Sequence, residues 1–308
     1  MAVSAYSLMN RLAARKKAEM RKRGMEHFYV ITNPTKDAES KTACFIRDYL
    51  ISHGKTCIVD EGTRKPDREG YTYREQVSGE IDCVIVVGGD GTLLQAAIDL
   101  ADRDIPFLGV NLGTLGFLAE VNRTGIEDAL EKLIENEYEI EKRMMLCGKS
   151  FNQKGIKDEA RALNDIVITR KGSLQIINFN IYVNGQFLHR YHADGVIVST
   201  PTGSTGYNLS AGGPIVEPKA ELILLSPICP HSMQNRSIVL SSGDIVVVEI
   251  ESSRDGEKQE VEALFDGSHK VSLCTGERIE IKKSEKTTGI VKLSKVSFLE
   301  VLHRKMSD

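Results

Sequence analysis

Nowhere in the 308 residues does an apolar run approach the length of a bilayer span, and the first residues lack the h-region of a secretory signal. Cysteines in C-x-x-C pairs are also missing: Cys44, Cys57, Cys83, Cys147, Cys229 and Cys274 are scattered singly. That scatter excludes a zinc site built on paired Cys/His spacing. In a chain of this length it implies reduced, mostly structural thiols and a cytoplasmic location. A strong charge of either sign is lacking too, the formal net charge being −3. No global basic field therefore argues for nucleic acid or an anionic membrane as partner. There is no tandem repeat, no low-complexity linker and no compact carboxylate cluster that would cage a permanent metal.

What is present suffices for two domains of ordinary size: 41% of residues are hydrophobic and 27% charged, close to the average for soluble proteins. The one local charge anomaly is the stretch 11–23, which carries Arg15-Lys16-Lys17 and Arg21-Lys22-Arg23 among the helix-permissive Leu12, Ala13, Ala14, Ala18 and Met20. A basic surface helix for RNA or lipid, a mitochondrial-type presequence and a solvated tail all fit this composition. We read residues 1–25 as a tail ahead of the first strand, because terminal segments are commonly loose.

After the tail, strands and helices alternate. Residues 28–32 form a β-type run that Asn33-Pro34 stops. Residues 41–53 have helical spacing, with Gly54 where a C-terminal cap glycine would stand. Strands follow at 56–59 and 81–87, separated by a polar loop at 61–73. A helix at about 92–102 comes next, then a strand at 106–110 and a helix at 126–133. The alternation predicts a parallel α/β sheet. Beyond about Met144 the texture changes to short alternating strands at 165–169, 178–183, 195–199 and 245–250, with Asn184-Gly185 as a two-residue hairpin signal. This second half reads as mostly antiparallel β.

Gly88-Gly89-Asp90-Gly91-Thr92 follows directly on the buried-strand pattern and precedes a helix. The glycines permit a sharp turn and a close approach of backbone N–H groups to a ligand, and a helix N-terminus favours an anion. One carboxylate, Asp90, sits in the middle. The position lies beyond the carboxyl end of a parallel strand, where ligands bind in such sheets. A strand, a glycine turn, a carboxylate and a helix N-terminus together suit phosphoryl transfer. The same residues also suit a simple tight turn with Asp90 as helix cap. Asn111-Leu112-Gly113-Thr114-Leu115-Gly116-Phe117-Leu118 leaves the 106–110 strand as either a packing turn or a second ligand wall.

In the β half, Leu163-Asn164-Asp165 and Asp194-Gly195 each precede a strand. They are joined by a stretch from Ser199 to Pro214 dense in hydroxyls and glycine, including Thr205-Gly206-Tyr207-Asn208-Leu209-Ser210. Hydroxyls and backbone N–H groups suit phosphate and ribose oxygens, and Tyr207 offers a ring for stacking and a phenol for hydrogen bonding. A Ser/Thr-rich surface loop is the plainer alternative.

Taken together these segments closely resemble the NAD kinase family, over nearly the whole chain from 28 to 305. Gly-Gly-Asp-Gly alone is shared with diacylglycerol and sphingosine kinases and with 6-phosphofructokinases, whereas the 194–214 block is specific. Lipid kinases follow the turn with an Asn-Glu pair where Leu93-Leu94-Gln95 stands here. The resemblance implies an α/β domain with a parallel sheet (26–143 plus 288–308) and a mostly antiparallel β-sandwich domain (144–287), the dinucleotide lying between them. It also implies that a final strand and helix, 296–302, return to the first domain. The implied activity is transfer of the γ-phosphoryl group of ATP to the 2′-hydroxyl of the adenosine ribose of NAD. Mg²⁺ would arrive with the nucleotide, and the chain would form a dimer or tetramer of itself. Asp90 would take the hydroxyl proton, with Gly88, Gly89, Gly91 and Thr92 around the substrates. Asn164 and Asp165 would bind the adenosine, and Thr205, Gly206, Tyr207, Asn208 and Ser210 would line the adenine and ribose. His192 and Asp194 would contact the dinucleotide, often from a neighbouring subunit. One departure is Ser268 after Phe265-Asp266-Gly267, where the family often has Gln. A lipid kinase, or a dinucleotide-binding regulator without turnover, is the competing reading.

The basic segment carries none of these motifs. Deletion of the whole tail, residues 1–25, is expected to leave kcat and KM within about twofold; a tenfold loss in steady-state assays would place the tail in the site or the assembly.

Overall fold

The computed structural model describes residues 24–60, 72, 77–113, 116–172, 176–231, 236–253 and 255–307. The basic stretch 11–23, nearly all of the 61–73 loop, and Thr114 and Leu115 lie outside the described residues.

The strands are β1 (His27–Thr32), β2 (Thr56–Val59), β3 (Cys83–Gly88), β4 (Phe107–Asn111), β5 (Val121–Asn122), β6 (Glu139–Asn152), β7 (Gly155–Ala162), β8 (Asp165–Arg170) and β9 (Ile177–Val183). They continue as β10 (Gln186–Ala193), β11 (Gly195–Ser199), β12 (Leu222–Ile228), β13 (Ile238–Ser241), β14 (Val246–Ile250), β15 (Glu260–Phe265), β16 (His269–Cys274) and β17 (Arg278–Lys292). The helices are α1 (Lys41–Ser52), α2 (Asp90–Asp99), α3 (Ile126–Ile134), the single turn α4 (Tyr207–Ser210) and α5 (Phe298–Ser307). Among the described residues no helix is long and apolar enough to cross a membrane.

β2, β1, β3 and β4 pair in parallel, in that spatial order. β3 is buried along its whole length, as a parallel strand covered on both faces must be. α1 and α3 pack Ile46, Leu50, Ala129, Leu130 and Leu133 onto one face, and α2 packs Leu93, Ala96 and Ala97 onto the other. The expected parallel sheet does not stop there, however. β17 joins β4 in parallel at Ile290 opposite Phe107, and its remaining neighbours β6 and β14 are antiparallel to it. The sheet is therefore mixed and runs into the β half without a linker. A register shift in β17 between Lys283 and Thr287, facing β6, marks the bend; such an irregularity locally kinks and twists a strand.

The second, antiparallel sheet has the order β13-β12-β11-β8-β15-β16. Its inner residues, among them Ile166, Ile168, Val196, Val198 and Phe265, pack on Phe179, Ile181, Val246, Val248 and Ile281 of the first sheet, which makes a sandwich. The Asn184-Gly185 hairpin forms as expected between β9 and β10, with positive φ at both residues, the requirement of its turn type. Gly54 closes α1 at φ +77.

Three expectations need correction. Residues 296–302 contain no strand: the strand that returns is β17, and the chain then enters α5. α2 begins at Asp90 and ends at Asp99 rather than spanning 92–102. Met25, counted above with the tail, is only 3% exposed and belongs to the core under α1 and α3. Met25→Ala should therefore lower unfolding stability by about 2–5 kcal/mol, the usual range for a buried Met to Ala, read from the urea midpoint; an unchanged midpoint would return Met25 to the tail.

Candidate active site

β3 ends at Gly88 and α2 starts at Asp90, so the glycine turn stands at the carboxyl end of a central parallel strand. Asp90 is not the cap of that helix. The N-cap is Gly89 in extended backbone, and no side chain caps it. The Asp90 carboxylate is instead held by another loop. Its Oδ2 accepts from the amides of Phe117 at 2.7 Å and Leu118 at 3.3 Å, and its Oδ1 accepts from Ala119 at 3.1 Å. Gly116 is part of the same fit, because a Cβ there would fall 1.9 Å from Asp90 Oδ1. An ionised carboxylate has about four acceptor positions. Three amides leave one on Oδ1 for a ligand.

A cavity of about 300 Å³ opens beside the turn, lined by Thr32, Asn33, Lys36, Asp60, Thr72 and residues 89–92 among others. The Lys36 ammonium lies 2.7 Å from where a Gly89 Cβ would be, and Asn33 Nδ2 donates to Thr92 Oγ1 at 3.2 Å. Thr72 Oγ1 is buried without a hydrogen-bond partner among the described residues. Asp37, just behind Lys36, organises the entry to α1. Burial raises its carboxyl, but the amides of Thr42 and Ala43 and the hydroxyls of Thr42 and Thr32 outweigh that and lower it below the ordinary value. Asn33 and Lys36 are functional candidates that the sequence reading passed over. Asn33-Pro34 was a strand stop there, yet it ends a parallel strand on the same side of the sheet as the glycine turn.

The Asn164 turn comes to the same place because Leu163 and Met145 share one core with Leu93, Ala96 and Leu118. Its three consecutive amides, of Leu163, Asn164 and Asp165, donate to the Asp266 carboxylate at 2.6, 2.8 and 2.9 Å. Asp266 was noted in the sequence only as part of an Asp-Gly pair. Here it is the anchor of the turn, at φ +46. Burial, and then the charge of Asp266, push the Asp165 carboxyl up to about 7. Burial pushes Asp266 up to about 6, with the three amides opposing. The three amides favour the charged form of Asp266, whereas Asp165, which faces that charge, is pushed towards its neutral form. Asn164 Oδ1 is buried with no hydrogen-bond partner among the described residues, an acceptor left over for a ligand.

The block after β11 wraps around this turn. Thr200 Oγ1 donates to Leu163 O at 2.6 Å and its amide to Asn164 O at 2.8 Å. A Cβ on Gly203 would fall 2.2 Å from that same carbonyl oxygen, so only glycine fits. Gly206 faces Asn164 and Asp165: a Cβ there would stand 3.5 Å from Asn164 Nδ2 and 3.9 Å from Asp165 Oδ2. Thr205 is half-buried, Ser210 is exposed, and Tyr207 presents a ring 48% exposed. Asn208 differs from its neighbours: fully buried, it donates to Ser204 O and Pro214 O and accepts from Ser226 Oγ. Its place is inside the block, tying it together. Ser268 donates to Phe265 O and closes the turn into β16.

Between the two halves lies Arg143, 4% exposed. One guanidinium nitrogen pairs with Glu141 at 2.5 Å, another reaches Thr202 Oγ1 at 3.5 Å, and Nε has no partner. Burial pulls it below its ordinary value, while the charges of Glu141 and then Asp90 act the other way. Its position as the last charged residue before the apolar Met144-Met145-Leu146 run was the signal that could have found it.

His192 and Asp194 do not join this cluster within one chain. His192 Nδ1 bonds Asn178 Oδ1, and Asp194 pairs with Arg170 at 2.7 Å. The register explains the separation: Ser199 faces Asp165 whereas Gly195 faces Thr169, four residues and about 13 Å further along the strand.

Comparison with known proteins agrees with the arrangement. The ATP-NAD kinase N-terminal domain model matches residues 11–138 and the ATP-NAD kinase C-terminal domain model residues 163–293. The first match takes in the basic segment that carried no recognisable motif. A NAD kinase of Lachnospira eligens is 43% identical over 293 residues, covering 92% of this chain and all of that one. A NAD kinase of Lachnoclostridium phytofermentans is 45% identical over 287 residues with the same coverage. Among solved structures, yeast NADH kinase complexed with NADH superposes with a TM-score of 0.80 at 26% identity, covering 92% of this chain and 88% of that one. An NAD kinase from Archaeoglobus fulgidus in complex with ATP gives 0.73 at 26% identity, covering 92% and 99%. With both domain models matched and the relatives spanned end to end, the chain belongs to the NAD kinase family.

Proposed function

We propose that this chain transfers the γ-phosphoryl group of ATP to the 2′-hydroxyl of the adenosine ribose of NAD, giving NADP. The observation that carries this reading is the single open acceptor position of Asp90 Oδ1, in a carboxylate fixed by three backbone amides beside the N-terminus of α2. A sugar hydroxyl is a weak nucleophile and needs a positioned base. Asp90 accepts its proton as the oxygen attacks the γ-phosphorus and ADP leaves. The donor phosphates occupy the cavity of Asn33, Lys36 and the glycine turn, where helix amides and an ammonium oppose their charge. A divalent cation, held by phosphate oxygens and water, comes with ATP.

The adenosine of NAD rests at the other wall. Asn164 Oδ1, buried and unpartnered, accepts a hydrogen bond from it. Asp165, Thr205, Gly206 and Ser210 surround the base and ribose, and Tyr207 stacks. His192 and Asp194, remote within one chain, reach the dinucleotide bound to a second copy, in a homo-oligomer. The lipid-kinase reading is not favoured, because the relatives covering 92% of the chain are NAD kinases.

Asp90→Asn tests the base. The amide keeps the shape but is no base, so kcat should fall about 10²–10⁴-fold while NAD affinity changes far less. Because an amide nitrogen cannot accept from the 117–119 loop, thermal stability is measured alongside. Near-normal turnover in the folded variant would sink the assignment, and a wild-type protein that binds NAD without turning it over would favour the regulator.

Asn164→Ala tests the acceptor wall. Loss of a hydrogen bond in a desolvated site costs about 1–3 kcal/mol, so NAD affinity by calorimetry should fall about 5- to 150-fold. The unfolding midpoint should hardly move, since Oδ1 has no hydrogen-bond partner among the described residues. Unchanged affinity would remove Asn164 from the site.

A further inference from the structure

The loop that holds Asp90 is itself held by the end of the chain. Glu120, at the end of that loop, accepts from the amides of Leu293 at 3.1 Å and Ser294 at 2.9 Å, and from Ser294 Oγ. Lys292 Nζ pairs with Glu120 at 3.3 Å. Three residues earlier, the Phe117 ring packs on Phe298 with centroids 6.0 Å apart, and the Lys305 ammonium sits 5.0 Å from the centre of the same ring. Phe117 is the residue whose amide makes the shortest bond to Asp90, at 2.7 Å.

α5 is well placed for this. Ser297 and Glu300 form a reciprocal capping box, with Ser297 N donating to Glu300 Oε2 at 2.6 Å and Glu300 N to Ser297 Oγ at 3.2 Å. That box fixes the first turn, and Phe298 with it. Phe298, Val301, Leu302 and Lys305 are half-buried at helical spacing, whereas Leu299 and Met306 are 71% and 75% exposed. The helix has no fully buried residue. It is held by one face only, and that face bears on the catalytic loop.

We propose that residues 292–307 are a clamp that positions Asp90, with Phe298 as its main positioning residue, acting through Phe117 and the 116–120 loop. The proposal rests on Asp90 being the base. Phe117, Leu118 and Ala119 can point their amides at the carboxylate only while the loop keeps its conformation. Gly116, in contact with the carboxylate, leaves no side chain to brace the loop from inside. The bracing comes from outside, through an aromatic contact, a cation over a ring and the bonds to Glu120. Docking or undocking of α5 would then tune turnover without touching either substrate.

The test uses the full chain with Phe298→Ala, Phe298→Tyr and Asp90→Asn side by side. Displacing a reacting group by about 1 Å can cost 10²-fold. Phe298→Ala should lower kcat about 10- to 100-fold, with NAD affinity within about threefold of wild type. Phe298→Tyr, which keeps the ring, should retain near-normal kcat. Hydrogen exchange should quicken at the amides of residues 117–119 in Phe298→Ala and remain unchanged in β3. Unaltered kcat in folded Phe298→Ala would overturn the clamp, as would a parallel loss of NAD affinity or an equal loss in Phe298→Tyr. Should Phe298→Ala not fold, Lys305→Met at the same ring gives the same reading, with a smaller drop in kcat expected and no drop contradicting. Normal turnover in Asp90→Asn is a separate outcome, which overturns the base assignment itself.

Discussion

The carboxylate of Asp90 bound by three backbone amides is the interaction on which the site depends. It ties the first residue of α2 to a loop that follows β4, two elements that also share the core of Leu93 and Leu118. A charged acceptor meeting several N–H donors is among the stronger hydrogen-bonded arrangements available to a protein. It fixes the carboxylate in direction and leaves one acceptor position open. A freely rotating Asp at a helix start would cap the helix and do no more. Gly116, emptied of its side chain where the carboxylate oxygens lie, shows how closely the loop is fitted around that group.

A second carboxylate repeats the device on the other wall. Asp266 gathers three consecutive amides of the Asn164 turn, which favour its charged form, whereas Asp165 close by is pushed towards neutrality by burial and by that charge. Each wall of the site is thus a loop wound on an aspartate. Arg143, buried between them with Glu141, is the cation of the seam. Removing one partner of such a buried pair leaves an uncompensated charge and is strongly destabilising, and Arg143 reaches from β6 to Thr202, while the shared core of Leu93, Leu118, Met145 and Leu163 brings the two walls together.

Much of this was legible in the sequence because it was local. β3 as a continuous apolar run, the Asn184-Gly185 hairpin and the Gly54 cap each follow from a few adjacent residues. So does the position of the glycine turn beyond a strand end. The parts that were not legible depend on pairings distant in sequence. Nothing near Glu139 or Arg278 announces that β6 and β17 will run side by side and weld a parallel sheet to an antiparallel one. Asp90 was legible as a carboxylate of interest, but its partners lie 27 to 29 positions away, and the helix-cap alternative fell only when they were seen. Asp266 and Arg143 act across more than fifty residues. Asn208 looked like its neighbours in a hydroxyl-rich block, and only burial shows that it faces inward. His192 and Asp194 were grouped with Asn164 by resemblance, yet Asp194 precedes the end of β11 that faces Thr169, away from Asp165, and His192 bonds Asn178 of β9.

The most direct measurement of the account is a crystal structure of the protein with NAD and a non-hydrolysable ATP analogue. The expected result is the 2′-oxygen of the adenosine ribose within about 2.6–3.2 Å of Asp90 Oδ1, the three loop amides still bound to the carboxylate, and the analogue's phosphates against Lys36 and the glycine turn. A 2′-hydroxyl beyond hydrogen-bond reach of Asp90, with that carboxylate still engaged only by residues 117–119, would contradict it and leave Asp90 as the anchor of a loop and nothing more.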